Sequence, residues 1–352
     1  MEDFIVAANL SALEAMKKLN ATSEKSVFVT SQKGKLIGSL TDGDIRRWIL
    51  AGKSLDTEVT EVCNKVPHLV KEGYDIQYVK SLMIEHKITC IPVVNDAKQP
   101  VKLLFWTDIF GAEVESIKKD KLDLPVVIMA GGFGTRLKPF TTILPKPLIP
   151  IGNKSIVEKI IDKFRAHDIK DYFMTLNHKS KIIRSYFNDI EKDYNIQFVD
   201  EPKPLGTAGS LKLLQDYLPD RFIVSNCDII INADYAELVR LHEESNNQVT
   251  LVSSMMHYKI PYGICEIDKG GELLEIREKP EYNFLISTGM YVLNKSVLDL
   301  IPDGEFFHIT HLMESVKTKG GKVGVYPISE NSWFDTGQWE EYNKTLKILS
   351  GE

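Results

Sequence analysis

The feature that most constrains the fold of this chain is an apolar run that opens into a glycine-rich turn. Residues 124–129 are apolar throughout, and Ala130-Gly131-Gly132-Phe133-Gly134-Thr135-Arg136 follows at once. An apolar run of this length, bounded by turn residues, predicts a buried strand. Glycines lack a Cβ, so their backbone N–H groups can approach an anion closely, and Arg136 and Lys146 then supply positive charge. The pattern therefore predicts an α/β domain with a phosphate-binding loop at the end of a strand.

Two common phosphate-binding loops do not match this turn. A Walker A loop ends in Gly-Lys-Ser/Thr, whereas this turn contains Gly-Thr-Arg. A dinucleotide fingerprint G-x-G-x-x-G starting at Gly132 needs a third glycine where Leu137 stands. The loop therefore binds phosphate by a different scheme.

Residues 131–148 instead follow the pattern G-G-x-G-T-R-L-x-P-x-T-x-x-x-P-K-P-L. This pattern resembles the signature of the sugar-phosphate nucleotidyltransferases, also called nucleoside-diphosphate-sugar pyrophosphorylases. The resemblance implies a Rossmann-like, mostly parallel sheet. Alternating apolar patterns downstream agree with it, because they predict a βαβ succession covered by helices on both faces. The predicted strands are 124–130, 171–176, 196–199, 221–226 and 284–293, and the predicted helices are 155–166, 179–187 and 208–216.

Nucleotidyl transfer to a sugar 1-phosphate is in-line attack of one phosphate oxygen on the α-phosphorus of a nucleoside triphosphate. Both reactants are anions, so this chemistry calls for arginine, lysine and acidic metal ligands rather than a covalent nucleophile. The resemblance makes Arg136 and Lys146 the catalytic cations and Asp228 and Asp335 the carboxylates that hold Mg²⁺.

The resemblance also implies two sets of substrate-binding residues. The nucleotide-binding set comprises Ala130, Gly131, Gly132, Gly134, Thr135, Asn177, Gly206 and Thr207. The sugar-phosphate-binding set comprises Gly263, Glu278, Lys279 and Gly289. Relatives usually carry an asparagine near the last glycine, where this chain has Ser287-Thr288.

An internal repeat occupies the first 120 residues. Residues 27–45 align without gaps to residues 91–109 at an offset of 64 positions. Each of these segments is preceded in the chain by an apolar pattern that is typical of a helix. Each half is too small to bury its own core, so we expect the two halves to pack together. The repeat resembles a pair of CBS motifs. In that family the Thr-x-x-Asp pattern contacts the ribose or phosphate of an adenine nucleotide.

Thr41 and Asp44 match this pattern, whereas the second repeat keeps Asp108 but has Phe105 in the threonine position. The sequence predicts at most one adenine or guanine nucleotide bound to the pair. A scaffold or dimerisation module is the equally weighted alternative.

These patterns predict two domains: an α+β CBS pair at 1–120 and a nucleotidyltransferase domain at 121–352. The net charge of −6 argues against a nucleic-acid partner. No apolar run is long enough to span a membrane, and the acidic start Met1-Glu2-Asp3 does not resemble a signal peptide. We expect a cytoplasmic homo-oligomer whose four cysteines are buried free thiols.

The fused CBS pair is similar to that of the guanylyltransferases of bacterial legionaminic acid synthesis. That likeness favours GTP and α-D-glucosamine 1-phosphate as substrates. Transfer of a guanylyl group to mannose 1-phosphate, or of a thymidylyl group to glucose 1-phosphate, stays open as an alternative. A non-catalytic sensor of nucleotides or sugar phosphates is the alternative from a different functional class.

Overall fold

The computed structural model describes residues 1–22, 26–86, 88–110, 120–328 and 330–350. The chain divides into two compact units, residues 1–119 and 120–352, and each unit has its own hydrophobic clusters. None of the helices in the described ranges combines the length and the apolar character that crossing a membrane requires.

The N-terminal unit repeats one arrangement of strands and helices. Its elements are β1 (Ile5–Ala7), α1 (Ala12–Ala21), β2 (Ser26–Thr30), β3 (Leu36–Thr41), α2 (Asp42–Leu50), α3 (Val59–Val62), β4 (Val70–Lys71), α4 (Ile76–His86), β5 (Cys90–Val94), β6 (Pro100–Phe105) and α5 (Trp106–Phe110). Strand β1 pairs parallel to β2, which pairs antiparallel to β3, and β4, β5 and β6 repeat this order. Shifted by 64 positions, β5 and β6 coincide with β2 and β3, so the predicted repeat is confirmed.

The two halves of this unit bury apolar side chains against each other. Phe28 and Leu36 from the first half share a cluster with Cys90, Val94 and Leu103 from the second. The predicted packing of the halves is therefore confirmed, and it supplies the core that a single half lacks.

The C-terminal unit begins with strand β7 (Val126–Ala130), directly before the glycine-rich turn. Its further strands are β8 (Pro150–Ile151), β9 (Lys154–Ser155), β10 (Asp171–Leu176), β11 (Asn195–Asp200), β12 (Arg221–Asn226), β13 (Ile229–Ile231), β14 (Val249–Lys259), β15 (Ile264–Ile267), β16 (Leu273–Arg277), β17 (Glu281–Asn294), β18 (Val323–Ile328) and β19 (Trp333–Asp335). Its helices are α6 (Phe140–Ile143), α7 (Ile156–Arg165), α8 (Ser180–Asp189), α9 (Gly206–Gly209), α10 (Tyr235–Glu244), α11 (Ile309–Thr318) and α12 (Trp339–Ser350).

The main sheet of this unit runs in the order β11-β10-β7-β12-β17-β14-β18. Strands β11, β10, β7 and β12 are parallel, whereas β17 is antiparallel to both of its neighbours. Alternate residues of β7 enter different clusters: Val126 and Ile128 pack with α7, α8 and α10, whereas Val127 packs with α11. Helices therefore cover both faces of a parallel-rich sheet, and the predicted α/β class is confirmed.

Several predicted boundaries need correction. The helix expected at 208–216 is the short α9 followed by a 3₁₀ stretch at Ser210–Leu214. Strand β17 begins at Glu281 rather than 284, because it pairs with β14 along almost its whole length. The charged stretch 112–123, which the sequence predicts as a linker between the two domains, lies mostly outside the described residues. The four cysteines are free, as predicted, but Cys265 is exposed on the small β15–β16 sheet.

Candidate active site

At the edge where β7 and β12 end, the chain changes the side of β7 on which it adds strands to the sheet. Strand β7 lies between β10 and β12, so the chain crosses to one side after β7 and later returns to the other. A crevice opens beyond the carboxyl ends of strands at such a point. The glycine-rich turn leaves β7 here, and β12 ends here at Asn226, two residues before Asp228. Two segments that are far apart in sequence therefore meet at one edge.

A cavity of about 400 Å³ lies at this edge. Its lining includes Gly131, Gly132, Gly134, Thr135 and Arg136 from the first turn, and Lys146 from the 3₁₀ turn Lys146–Leu148. The remaining lining residues are Met129, Phe133, Glu201, Pro204, Gly206, Thr207, Asn226, Cys227, Asp228, Phe306 and His308. The cavity thus combines backbone N–H donors, two cations and two carboxylates.

Two glycines of the first turn, Gly131 and Gly134, lie very close to neighbouring side chains. A Cβ on Gly131 would lie 2.3 Å from Oε1 of Glu201. Gly134 has a φ of +65°, and its Cβ would lie 2.9 Å from Thr141 and 3.0 Å from Cβ of Lys146. The turn therefore packs directly onto the side chains of Glu201 and Lys146, and the backbone angle of Gly134 is one that glycine adopts without strain.

Glu201 is a buried carboxylate that faces the cavity. Only 8% of the residue is exposed, and its Oε2 accepts a hydrogen bond from the N–H of Leu205 at 3.2 Å. Burial raises the pKa of the Glu201 carboxyl, and the Leu205 N–H counteracts part of this shift. Within the part of the chain that the structure describes, no lysine or arginine forms an ion pair with it. Glu201 therefore offers acceptor oxygens to an uncharged donor in the cavity.

Lys146 and Asp228 form an ion pair in which the two side chains are only 11% and 13% exposed. The antiparallel pairing of β13 with β19 sets Asp335 opposite Ile229, the residue after Asp228. A Cβ on Gly337 would lie 2.6 Å from Oδ2 of Asp228, 2.9 Å from Oδ1 of Asp335 and 3.2 Å from Nζ of Lys146. One lysine and two carboxylates thus converge beside a residue that has no side chain.

Burial raises the pKa of the Asp335 carboxyl, and the charge of Asp228 acts in the same direction. The Gly337 N–H, which donates to Oδ1 of Asp335 at 2.7 Å, lowers this pKa, as do the charges of Lys146 and Arg136. The two carboxylates therefore repel each other in a partly buried place, and nearby cations compensate for that repulsion.

The donor set here fits a magnesium ion. Asp228 and Asp335 supply hard carboxylate oxygens, and the ammonium group of Lys146 stands where positive charge is favoured. Among the described residues, no cluster of three or more His, Cys, Asp or Glu side chains could form a complete protein cage. Mg²⁺ typically takes one or two carboxylates and completes its coordination with water and substrate phosphates, which suits this pair.

Cys227 lines the cavity next to Asp228, but burial raises the pKa of its thiol to about 12. The thiol is therefore protonated at neutral pH and is a poor nucleophile. The site offers charge neutralisation rather than covalent catalysis.

Most of the predicted nucleotide-binding residues line the cavity, but two do not. Ala130 is the buried last residue of β7, and the amide Nδ2 of Asn177 donates to the backbone oxygen of Glu201 at 2.9 Å. Gly206 and Thr207 line the cavity and also hold the loop before α11. A Cβ on Gly206 would lie 2.7 Å from the Phe307 oxygen, and Oγ1 of Thr207 accepts from the N–H of Ile309 at 3.0 Å.

The predicted sugar-phosphate residues are brought together with one another, but not inside this cavity. A Cβ on Gly263 would lie 3.0 Å from Oε2 of Glu278, and Nζ of Lys279 lies 4.0 Å from Oε1 of Glu278. Both charged side chains are more than half exposed, beside the two-stranded sheet of β15 and β16. Gly289, at a φ of +92°, packs instead against Asn226, which does line the cavity.

Five residues at the site were not among the predicted site residues: Glu201, Asn226, Phe306, His308 and Gly337. Glu201 and Asn226 stand at or just after the ends of strands, a position that could have marked them. Phe306 and His308 have no such local signal. They reach the cavity because the N–H of Ala208 donates to the Phe307 oxygen at 2.9 Å and the N–H of Phe307 donates to the Leu205 oxygen at 2.9 Å.

A separate cavity of about 340 Å³ lies between the halves of the N-terminal unit. Thr41 lines it together with Ser39, Asn64 and the stacked rings of His68 and His86. The N–H of Thr41 donates to Oδ2 of Asp44 at 2.8 Å and the N–H of Asp44 donates to Oγ1 of Thr41 at 3.4 Å, which forms a capping box at the start of α2. Oγ1 of Thr41 also donates to Asp44 at 2.7 Å. Asp108 accepts from the N–H of Phe105 at 3.2 Å, and the ring of Phe105 packs on Phe4.

Each of the two units matches a known protein-family model. The protein-family model described as Nucleotidyl transferase matches residues 125–350, and the CBS domain model matches residues 2–51 and 59–115. The chain is 31% identical over 225 residues to a mannose-1-phosphate guanyltransferase of Yarrowia lipolytica, covering 61% of each protein. It is 29% identical over 250 residues to a UTP–glucose-1-phosphate uridylyltransferase of Synechocystis, covering 65% of this chain and 64% of that protein.

The chain therefore spans about three fifths of the length of these curated relatives. Among solved structures, the crystal structure of HddC from Yersinia pseudotuberculosis superimposes with a TM-score of 0.51 at 25% identity. The match covers 64% of this chain and 99% of that one, which corresponds to the C-terminal unit in extent.

Proposed function

The chain belongs to the nucleotidyl transferase family, and from that premise we propose that it joins a nucleoside triphosphate to a sugar 1-phosphate. The products are a nucleotide sugar and pyrophosphate. The observation that carries this proposal is the convergence of Arg136, Lys146 and Asp228 on one cavity behind a glycine-rich turn. That arrangement suits the meeting of two anions, because it supplies cations, N–H donors and a metal-binding carboxylate at one place.

The residues of this chain have separable roles in the proposal. Arg136 neutralises the triphosphate, and Lys146 neutralises charge that develops near the α-phosphorus. Asp228 and Asp335 hold Mg²⁺, which when bound supplies charge stabilisation to the phosphates and the departing pyrophosphate. The phosphate oxygen of the sugar substrate is the nucleophile, so no covalent enzyme intermediate forms.

Glu201 supports GTP as the nucleotide. Guanine presents two adjacent N–H donors on one edge, which a carboxylate can accept together in a bidentate pair. Uracil and thymine present one N–H between two carbonyl oxygens, and a carboxylate would repel those oxygens. Because Glu201 is buried at the cavity wall without a cationic partner among the described residues, a guanine edge satisfies it best.

We favour α-D-glucosamine 1-phosphate as the acceptor. Its support is the fusion of a CBS pair to the transferase, together with the carboxylate of Glu278 and the ammonium group of Lys279 near Gly263. A carboxylate can accept from sugar hydroxyl or ammonium groups, and a lysine can neutralise the sugar phosphate. Mannose 1-phosphate with GTP and glucose 1-phosphate with dTTP are the competing substrate pairs. Because the Synechocystis relative is a uridylyltransferase, UTP is a further nucleotide to test.

At the N-terminal unit we propose one adenine or guanine nucleotide, bound in the cavity that Thr41 lines. Thr41 and Asp44 form the Thr-x-x-Asp pattern in the first repeat. In the second repeat, Phe105 stands at the threonine position, and its ring packs on Phe4. Asp108 therefore lacks a neighbouring hydroxyl in the equivalent position. A cytoplasmic location and a homo-oligomeric state remain predictions from the sequence.

A pyrophosphate-release assay tests the activity with GTP, ATP, UTP and dTTP against a panel of sugar 1-phosphates. We expect GTP with α-D-glucosamine 1-phosphate to give the highest kcat/KM. Glu201→Gln should reduce the preference for GTP over UTP by about tenfold or more, since an amide can pair with N–H and carbonyl groups alike. If GTP binds but no combination of triphosphate and sugar 1-phosphate releases pyrophosphate, the proposal is contradicted and the non-catalytic sensor is supported.

A further inference from the structure

The contact between Lys146 and Asp228 joins two residues with different proposed partners. Lys146 is assigned to the nucleotide and Asp228 to the metal, yet their side chains form a direct ion pair across 82 residues of chain. Both side chains are nearly buried, so little water is available to weaken the attraction. The lysine therefore occupies one of the carboxylate oxygens that a metal ion would need.

The ammonium group of Lys146 and the two carboxylates lie close to one another. Nζ of Lys146, Oδ2 of Asp228 and Oδ1 of Asp335 all lie within 3.2 Å of the point where Gly337 would carry a Cβ. A divalent ion that binds Oδ2 of Asp228 must therefore approach the ammonium group closely. Two like charges at such a distance repel each other strongly when solvent is largely excluded.

We propose that Lys146 is a built-in counter-ion of Asp228 that competes with the divalent metal for this carboxylate. In the metal-free protein the ammonium group neutralises Asp228, and the metal enters when Lys146 turns away from it. This inference rests on the proposed function, because the triphosphate is the anion toward which Lys146 would turn. A ligand that draws Lys146 away then favours the metal, and by linkage the metal favours that ligand equally.

The direct test is titration of the full-length, nucleotide-free protein with Mn²⁺, with free Mn²⁺ measured by electron paramagnetic resonance. Lys146→Met removes the competing charge and keeps an unbranched, flexible side chain of similar size. We expect its affinity for Mn²⁺ to be about fivefold or more higher than that of the wild type, at the lower end of typical coupling between sites. The matched control is Lys138→Met, which removes a positive charge from the same signature at an exposed position. Its affinity should stay within about twofold of the wild-type value.

An equal or weaker affinity of folded Lys146→Met for Mn²⁺ would overturn the proposal. Because an unpaired Asp228 could also disturb the variant, a second measurement uses the wild-type protein. Mg²⁺ alone should raise the rate at which an acetylating reagent modifies Lys146 by about fivefold, and Lys138 serves as the internal standard in the peptide mass spectra. An unchanged rate for Lys146 at metal concentrations that fill the site would contradict the competition.

Neither measurement requires turnover, so the two hypotheses fail separately. An active transferase whose Lys146→Met variant gains no metal affinity would refute only the counter-ion role. A protein that shows the competition but releases no pyrophosphate would refute only the transferase.

Discussion

The carboxylate of Asp228 pairs with Lys146 and does not cap a helix. Asp228 directly precedes strand β13 rather than a helix, and helix α10 is capped by Asp234, whose side chain accepts from the N–H groups of Ala236 and Glu237. The main chain of Asp228 is held independently, because its oxygen accepts from the N–H and hydroxyl of Thr336 at 2.8 and 2.7 Å. The position of Asp228 therefore does not depend on a capping role of its carboxylate.

We expect Asp228→Asn to reduce kcat by about 100-fold or more while the protein stays folded. The substitution keeps the shape of the side chain and removes the charge that a hard cation needs. Kinetics at saturating Mg²⁺, with circular dichroism as the check on folding, measures the effect. Asp216→Asn, at an exposed position of the same unit, is the control. Activity of Asp228→Asn within about threefold of wild type, a transition-state loss under about 1 kcal/mol, would refute the metal assignment.

Glu201 leads to a prediction about stability and pH. Burial raises its pKa above the ordinary 4.5, so the folded state binds the proton more tightly than the unfolded chain does. The contribution of Glu201 to the free energy of unfolding is therefore most favourable below the pKa of the unfolded state, and it is lost as pH rises through the pKa of the folded state. We expect Glu201→Gln to raise the free energy of unfolding at pH of about 8, and the gain to vanish near pH 4, in urea titrations. A variant that is less stable than wild type at the higher pH would show that Glu201 is satisfied in the free protein.

At the scale of elements, the sheet separates two kinds of chemistry. The carboxyl ends of β7 and β12 carry the groups proposed for the triphosphate and the metal. Gly263, Glu278 and Lys279 instead lie beside the small β15–β16 sheet, which connects the long strands β14 and β17. This division predicts that different elements bind the two substrates.

Lys279→Ala and Lys146→Ala should therefore affect different kinetic constants. We expect Lys279→Ala to raise KM for the sugar 1-phosphate by about tenfold with a smaller effect on kcat, since it removes a binding contact. Lys146→Ala should mainly lower kcat, because it removes stabilisation close to the reacting phosphorus. Steady-state kinetics with each substrate varied in turn separates the cases. Equal losses in the same constant for both variants would argue against separate roles.

Helix α7 starts directly behind the signature segment, and its first turn depends on a capping box. The side chain of Ser155 accepts from the N–H of Glu158, and Glu158 in turn accepts from the N–H of Ser155 at 2.8 Å. We expect Ser155→Ala to lower the free energy of unfolding by about 1 kcal/mol. Ser180→Ala is the control, because α8 has no side-chain cap. Equal stability of the two variants in denaturant titrations would show that the cap contributes little.

At the scale of the whole molecule, two units, each with a cavity of its own, share one chain. Each unit builds its cavity from segments that are distant in sequence. The N-terminal cavity combines Thr41 with His86 and Cys90, and the C-terminal one combines Gly131 with Phe306 and His308. Each cavity therefore depends on the complete fold of its own unit.

The N-terminal unit leads to a prediction about stoichiometry. We expect isothermal titration of the full-length protein with AMP to show no more than one site of this kind per chain. Thr41→Val should abolish that binding, because it removes the hydroxyl of a residue that lines the cavity. Pyrophosphate release without AMP should persist in this variant. Two equivalent sites would show that Phe105 does not block the second position, and no binding of AMP, ATP or GTP would favour the scaffold reading.

The sequence alone was sufficient for features that arise from local pattern. The apolar run before Gly131 indicated β7, apolar periodicity indicated α7 and α8, and the offset of 64 residues indicated the repeated halves of the N-terminal unit. These features were predictable because strand burial, helical faces and glycine turns depend on residues that are neighbours in the chain.

Only the tertiary structure decided which side chains meet. It joined Lys146 to Asp228, turned Glu201 toward Gly131, and brought Phe306 and His308 to the cavity. It also left Glu278 and Lys279 outside that cavity. Such contacts depend on strand order and on loops that close over long stretches of chain, and hydrophobic periodicity carries no information about either. The sequence thus determined the types of chemical group at the strand ends, whereas the packing of β7, β12 and β19 determined their distances.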